Sequence, residues 1–151
     1  SINSAAVRRP ALITEISKEF GSQCVVVAID TDLVNGEWKV FVDGGKTPVD
    51  LLTNKWASMA ADLGAGEILL TSMQRDGTKD GFSIDITTEI TRLLSIPVIA
   101  SGGAGTMEHF RDVFKNTGCS AALAASIFHY GEIEISELKK YLLKEGIAVK
   151  I

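Results

Sequence analysis

The stretch Ile99-Ala100-Ser101-Gly102-Gly103-Ala104-Gly105-Thr106 decides how the rest of the chain is interpreted. A short apolar run leads into glycines and then into an amphipathic segment, which predicts a strand, a tight turn and a helix start. Glycines lack a Cβ and so let backbone N–H groups approach an anion, while the first turn of the helix adds unpaired N–H donors. The stretch therefore predicts a phosphate-binding turn, with a tight turn that binds no ligand as the alternative.

Composition bounds the class of protein. The chain has 151 residues, of which 46% are hydrophobic and 23% charged, and its net charge of −4 is ordinary for one globular domain over residues 1–151. The acidic balance, without any run of Lys or Arg, argues against a nucleic-acid surface. No apolar stretch approaches the ~20 residues of a membrane span, and the first residues lack a signal-peptide pattern. We expect a cytoplasmic protein that binds neither nucleic acid nor membranes.

The residues that commonly bind metals are sparse. Cys24 and Cys119 lie far apart with no CxxC spacing, so we expect two reduced thiols. His109 and His129 fall on predicted helices, where a histidine is more often a helix-face residue than a base or a ligand. The sequence therefore predicts no metal site and no cofactor.

Four βα units follow one another along the chain. Short apolar runs predict strands at 24–29, 67–71, 96–100 and 121–124, and helical periodicity predicts helices at 12–20, 50–63, 84–94, 107–116 and 135–144. Asn35-Gly36 lies between alternating segments and predicts a hairpin inserted after the first strand. We expect the loop at 44–49 to be mobile. The alternation of strands and helices predicts an α/β fold with a parallel sheet.

The polar residues at the strand ends favour a barrel over an open sheet. A four-stranded open sheet leaves two edges unpaired, whereas a (β/α)8 TIM barrel gathers its active residues at the carboxyl ends of the strands. Here those ends are predicted at Asp30, Thr71, Ser101 and 124–126. The chain is therefore interpreted as about four units, or half, of a (β/α)8 barrel.

Several motifs together carry a family resemblance: Ser1 to Ala6, Val27 to Asp30, Leu70 to Met73 with Arg75 to Thr78, Ser101 to Gly105 with Glu108 to Phe110, and Ala122 to Ser126. They resemble the cyclase subunit of imidazole glycerol phosphate synthase, collinearly over essentially the whole chain and as the C-terminal half of its barrel. The resemblance implies a lyase of histidine biosynthesis, in which a glutaminase subunit supplies ammonia. The substrate, a phosphoribulosyl formimino-aminoimidazole carboxamide ribotide, carries two phosphates, and the products are imidazole glycerol phosphate and aminoimidazole carboxamide ribotide.

The resemblance also implies roles for particular residues. Asp30 matches one of two catalytic aspartates, the other belonging to a first strand that this chain lacks, and Thr71 matches a substrate-contacting position. Glu67 matches a charged ring where ammonia enters, and Asn3 and Ser4 match part of one phosphate site. The other phosphate site is matched by Asp76, Gly77, Ser101, Gly102, Gly103, Ala125 and Ser126.

Simpler interpretations stay open. Asp30, Asn3 and Thr71 have residue types that also cap helices or loops, Asp76 is also a common turn former, and Glu67 could be an exposed charge at a strand start. The sister phosphoribosyl isomerase of the same pathway and a non-enzymatic, phosphate-binding half-barrel are the alternative functions. We also expect the chain to begin inside a longer protein and, as a half-barrel with uncovered faces and edges, to self-associate.

Overall fold

Strands and helices alternate along the chain, as their apolar periodicities predict. The computed structural model describes residues 1–150. Its strands are β1 (Val26–Val34), β2 (Glu37–Val42), β3 (Thr47–Leu52), β4 (Glu67–Ser72), β5 (Val98–Ser101) and β6 (Ala121–Leu123). Its helices are α1 (Ser4–Arg8), α2 (Ala11–Phe20), α3 (Thr53–Asp62), α4 (Ile84–Leu93), α5 (Met107–Thr117), α6 (Ser126–His129) and α7 (Ile135–Lys144).

The six strands form one sheet in the order β3-β2-β1-β4-β5-β6. Strands β1, β4, β5 and β6 run parallel, and β2 and β3 add an antiparallel extension beside β1. Ile2 makes one further parallel bridge to Val27, on the side of β1 away from β4. A mostly parallel sheet with helical connections is expected for part of a (β/α)8 barrel, so the predicted fold class is confirmed.

The helices cover one face of this sheet. Alternate residues of β1 and β4, such as Val27 and Ile68, are fully buried in a core with Trp56 of α3 and Ile90 of α4. A second core lies under α5 and α7 and includes Phe110, whose ring packs edge-on against Phe82 with centroids 5.4 Å apart. Because strand side chains alternate between faces, the burial of one set identifies the helix-covered face of the sheet.

The other face of the sheet carries the alternate residues. Val26 and Ala28 of β1, Leu69 of β4 and Ile99 of β5 are half-buried and belong to neither core. Leu123 of β6 is 43% exposed on the same register row as Ser101. This open face is therefore largely apolar while no helix of the described residues covers it.

Two boundaries differ from the sequence-based expectation. Strand β1 does not end before Asp30 but continues to Val34, because its second half pairs with β2 across the hairpin. The loop expected at 44–49 is a turn at 44–46, but residues 47–49 and the first turn of the helix expected at 50–63 form β3, since residues 47–52 pair with β2. The predicted hairpin is confirmed, with Asn35 and Gly36 both at positive φ, +52° and +84°.

In the part of the chain that the structure describes, no helix combines the length and the apolar character needed to cross a lipid bilayer.

Candidate active site

One row of paired residues crosses the sheet near the carboxyl ends of its parallel strands. Asp30 of β1 is in register with Thr71 of β4, Thr71 with Ser101 of β5, and Ser101 with Leu123 of β6. Neighbouring strands are about 4.8 Å apart, so Asp30 and Ser101 lie about 10 Å apart across the sheet. The row therefore spaces a carboxyl and two hydroxyls along one edge of the open face.

Asp30 is half-buried and held by a side chain from the beginning of the chain. Asn3 Nδ2 donates a hydrogen bond of 3.0 Å to Asp30 Oδ2. Burial raises the pKa of the Asp30 carboxyl, the bond from Asn3 opposes that rise, and the negative charge of Asp76 adds to it. A carboxyl with a raised pKa is better suited to exchange protons near neutral pH than an ordinary surface aspartate.

Asn3 contacts this carboxyl rather than capping a helix. It precedes α1, yet its side chain makes no capping hydrogen bond there. Its other amide atom, Oδ1, is buried and accepts no hydrogen bond from the described residues. Asn3 thus fixes the orientation of Asp30 and keeps one polar atom unused, which is unusual for a buried amide oxygen.

A cavity of about 200 Å³ lies at the β5 and β6 end of the row. Three chain segments meet there: the loop after β4, the glycine turn after β5, and the junction between β6 and α6. The lining residues are Asp76, Gly77, Lys79, Ser101, Gly102, Gly103, Ala104, Leu123, Ala124, Ala125 and Ser126. The seven residues that the family resemblance assigns to one phosphate all lie in this lining.

Close packing explains the glycines of the turn. Gly102 has φ +92°, and a Cβ there would lie 2.6 Å from the carbonyl oxygen of Ser72. Gly103 has φ +101°, and a Cβ there would lie 2.8 Å from the carbonyl carbon of Gly81, whose N–H donates a 2.7 Å hydrogen bond to Gly103 O. Both positions combine a positive φ with a backbone neighbour, so the loop after β4 rests directly on the turn.

His109 organises the other end of the turn. Its Nδ1 accepts the backbone N–H groups of Gly105 at 3.1 Å and Thr106 at 3.3 Å, and Thr106 caps α5 in return. These two N–H groups are therefore occupied by the imidazole and are not free to bind an anion. His109 is therefore a capping residue of α5, and the prediction that it is neither a base nor a ligand stays a prediction.

The sequence analysis also missed Lys79 as a lining residue. Lys79 Nζ lies 2.7 Å from both carboxylate oxygens of Glu132, a residue 53 positions away. Lys79 directly follows the motif Arg75 to Thr78, and this adjacency is a sequence signal that could have identified it. Nothing local in the sequence marks Glu132 as its partner, because the pair forms only when the segment after α6 folds back.

Ser4 lies apart from the cavity, at the first residue of α1. Its Oγ accepts the backbone N–H of Asp43 at 2.8 Å, and Arg8 of α1 forms an ion pair with the carboxylate of Asp43. Asn3 and Ser4, the residues predicted to form part of the second phosphate site, therefore lie beside Asp30 and the β2–β3 turn, respectively. The Ser4 hydroxyl holds that turn in place.

Thr71 and Glu67 lie at opposite ends of β4. Thr71 is in the row with Asp30, whereas Glu67 is the first residue of the strand and is in register with Val26. Four residues of parallel strand separate them by about 13 Å. Glu67 is half-buried and on the same face as Thr71, at the amino end of the strand.

Both cysteines are free, Cys24 being exposed and Cys119 buried. Within residues 1–150, no group of three or more His, Cys, Asp or Glu side chains is arranged to hold a metal ion. The carboxyl of Asp30 and the polar lining of the cavity are the groups in this part of the chain whose predicted roles are proton exchange and anion binding.

The sequence of this chain is similar to proteins of one family. A sequence model of the family described as "Histidine biosynthesis protein" matches residues 1–134. The chain is 59% identical to the imidazole glycerol phosphate synthase subunit HisF of Parabacteroides distasonis, over all of this chain and 60% of that protein. The identity is 57% with the subunit HisF of Cytophaga hutchinsonii, over 99% of this chain and 60% of the relative. It is 52% with that of Flavobacterium johnsoniae, over 100% and 60%. The chain thus spans about three fifths of the length of these relatives.

Proposed function

This chain belongs to the histidine biosynthesis protein family, and on that premise we propose that it is the C-terminal part of the cyclase subunit of imidazole glycerol phosphate synthase. In this lyase reaction, ammonia from a glutaminase subunit converts the phosphoribulosyl formimino intermediate into imidazole glycerol phosphate and aminoimidazole carboxamide ribotide. The relatives that support the proposal carry the synthase subunit's name, which favours the cyclase over the sister isomerase.

One observation carries the proposal: the anion-sized cavity and the Asp30 carboxyl share a single register row. A phosphate bound beside Ser101 leaves the reacting atoms of the substrate about 10 Å away, at the Thr71 and Asp30 end of the row. Binding energy from a remote phosphate is a general means of fixing a substrate against catalytic groups.

Asp30 is proposed as a general acid and base. Ammonia addition, ring closure and cleavage each move protons, and a positioned carboxyl near the bound substrate can carry them. Its raised pKa supports this role, and the bond from Asn3 fixes which carboxylate oxygen faces the substrate. The second catalytic aspartate is expected from another segment of the complete barrel.

The resemblance implies two further roles, at opposite ends of the parallel strands. Asn3 and Ser4 are proposed to complete a second phosphate site with residues of that other segment. Glu67, at the amino end of β4, is proposed to lie where ammonia enters from the glutaminase subunit. The complete enzyme is proposed to act in the cytoplasm. Replacing Glu67 by Gln is expected to lower glutamine-dependent turnover more than turnover with added ammonia.

The uncovered apolar face supports a second proposal, which concerns the chain by itself. Half-buried residues such as Leu69 and Ile99, together with the free edge of β6, favour pairing with a second copy. In that state, the chain is proposed to bind phosphate compounds without turning them over, because the catalytic aspartate that the resemblance places on a first strand is missing from both copies.

A chimera tests the cyclase proposal directly. This chain replaces the matching segment of the Parabacteroides distasonis relative, and ammonia-dependent product formation is measured with the relative itself as the reference. We expect the chimera to be active and its Asp30→Asn variant to lose roughly 10²-fold to 10⁴-fold in kcat. A folded chimera that forms no product, or an Asp30→Asn variant with undiminished kcat, would overturn the assignment.

A further inference from the structure

The cavity beside Ser101 has one cationic side chain in its lining, that of Lys79. Asp76 in the same lining carries a negative charge, and Glu132 binds the Lys79 ammonium from outside the lining. Counting these three groups, the mouth of the cavity has one positive and two negative charges. An unassisted phosphate dianion therefore meets a mouth of net negative charge.

The backbone of Lys79 is tightly packed, whereas its side chain is partly exposed and is held by one surface ion pair. Lys79 has φ +62°, and its main chain packs so closely on Gly105 that a Cβ there would lie 2.9 Å from Lys79 Cα. The side chain is 44% exposed, and that of Glu132 is 40% exposed. An ion pair between such exposed groups contributes little to stability, so exchanging its partner costs little.

Glu132 is held by the segment that follows α6. Its backbone N–H donates a 2.8 Å hydrogen bond to Ile127 O, which ties it to a fully buried residue of the second core. The carboxylate is therefore presented to Lys79 from a segment outside the cavity lining. The pair links the loop after β4, which contributes to the lining, to the segment after α6.

On these observations we propose that Lys79 supplies the positive charge for the phosphate bound in this cavity, and that Glu132 holds the ammonium until phosphate displaces it. The inference rests on the proposed phosphate-binding function of the cavity. A phosphate monoester carries about −1.5 to −2 charges at pH 7, more than a single carboxylate, so it outcompetes Glu132 for the ammonium. Lysine suits this exchange because its flexible stem moves a compact charge without moving the backbone.

The test is a calorimetric titration of the 151-residue chain at pH 7 and low salt. The two probes are inorganic phosphate and glycerol 3-phosphate. Eleven residues of this chain line the cavity, so the titration measures the affinity that these residues provide. The variants are Lys79→Met, Lys79→Arg and Glu132→Gln. Lys140→Met is the matched control, because Lys140 forms a similar exposed pair with Glu137 at 2.8 Å on α7.

The proposal predicts changes of opposite sign at the two partners. Lys79→Met is expected to weaken binding about 10-fold and to flatten its salt dependence, since a charge-assisted contact contributes about 1.4 kcal/mol. Lys79→Arg should stay within about threefold of the unsubstituted chain, and Glu132→Gln should bind about threefold more tightly, because the competing carboxylate is gone. The Lys140→Met control should bind phosphate with the affinity of the unsubstituted chain. Circular dichroism verifies that each variant is folded.

Two results overturn the inference and leave the proposed function standing: Lys79→Met binding as tightly as the unsubstituted chain, or Glu132→Gln weakening binding as much as Lys79→Met. The second result would make the pair a structural clasp. If the folded, unsubstituted chain binds neither probe, the phosphate site itself fails and the inference fails with it.

Discussion

Replacing Gly103 by Ala tests whether the glycine turn exists to let the loop after β4 rest on it. At φ +101° an alanine is strained, and its Cβ would lie 2.8 Å from the carbonyl carbon of Gly81 and 3.0 Å from Arg75 Cβ. Relief requires a backbone shift, because the main obstacle is a carbonyl and not the end of a flexible side chain. That shift breaks the hydrogen bond from Gly81 N to Gly103 O.

The expected loss of stability combines these effects. Left-handed backbone costs an alanine roughly 1–2 kcal/mol, and the lost hydrogen bond adds about 1 kcal/mol. With some residual crowding, the free energy of unfolding should fall by about 2–4 kcal/mol, a large share of the 5–15 kcal/mol of an ordinary domain.

The assay is urea unfolding followed by circular dichroism, together with calorimetric titration with phosphate. Gly118→Ala is the matched control: Gly118 ends α5 at φ +75°, and a Cβ there meets nothing within 4 Å. The control should lose only about 1 kcal/mol, the conformational part alone. Gly103→Ala should lose more than the control and also bind phosphate at least about 10-fold more weakly, because the displaced loop carries Asp76 and Gly77.

Equal losses in the two variants would refute this reasoning. That result would mean that the loop after β4 moves aside at no cost, and that its contact with the turn does not constrain the site. Unchanged phosphate affinity in a destabilised Gly103→Ala variant would separate the packing of the turn from binding.

Four further outcomes are expected. Because burial raises the pKa of Asp30, the folded state binds more protons than the unfolded state as pH rises above about 4, and stability falls through that window. Asp30→Asn should therefore raise the free energy of unfolding at pH 7, and urea titrations should show the gain vanish below about pH 4. His109→Ala should lose about 1 kcal/mol of stability by freeing two N–H groups, while replacing the exposed His129 by Ala should lose almost none. Thr31→Val should lose about 1–3 kcal/mol in the same assay, because the buried hydroxyls of Thr31 and Thr53 share a 2.6 Å hydrogen bond. Sedimentation of the chain should show concentration-dependent association, and one monomeric species at all concentrations would contradict the open-face proposal.

Local sequence determined most of the elements. The apolar runs predict β4, β5, β6 and the five longer helices within about three residues, and Asn35-Gly36 predicts the hairpin, because turn chemistry and periodicity are properties of neighbouring residues. Local sequence does not group the glycine turn with Asp76 and Ser126; the family resemblance implies that group, and the structure brings these residues to one cavity. Their role in binding stays a prediction.

Only the tertiary structure decided how distant segments meet. The continuation of β1 through Asp30 depends on pairing with β2, and the residues of β3 become a strand because β2 offers them an edge. The Asn3 bond to Asp30 spans 27 positions and the Lys79 pair with Glu132 spans 53. Such contacts depend on the order of the strands in the sheet and on the path of each connecting segment. A local pattern of residue types specifies neither the strand order nor the path, because both depend on residues far apart in the chain.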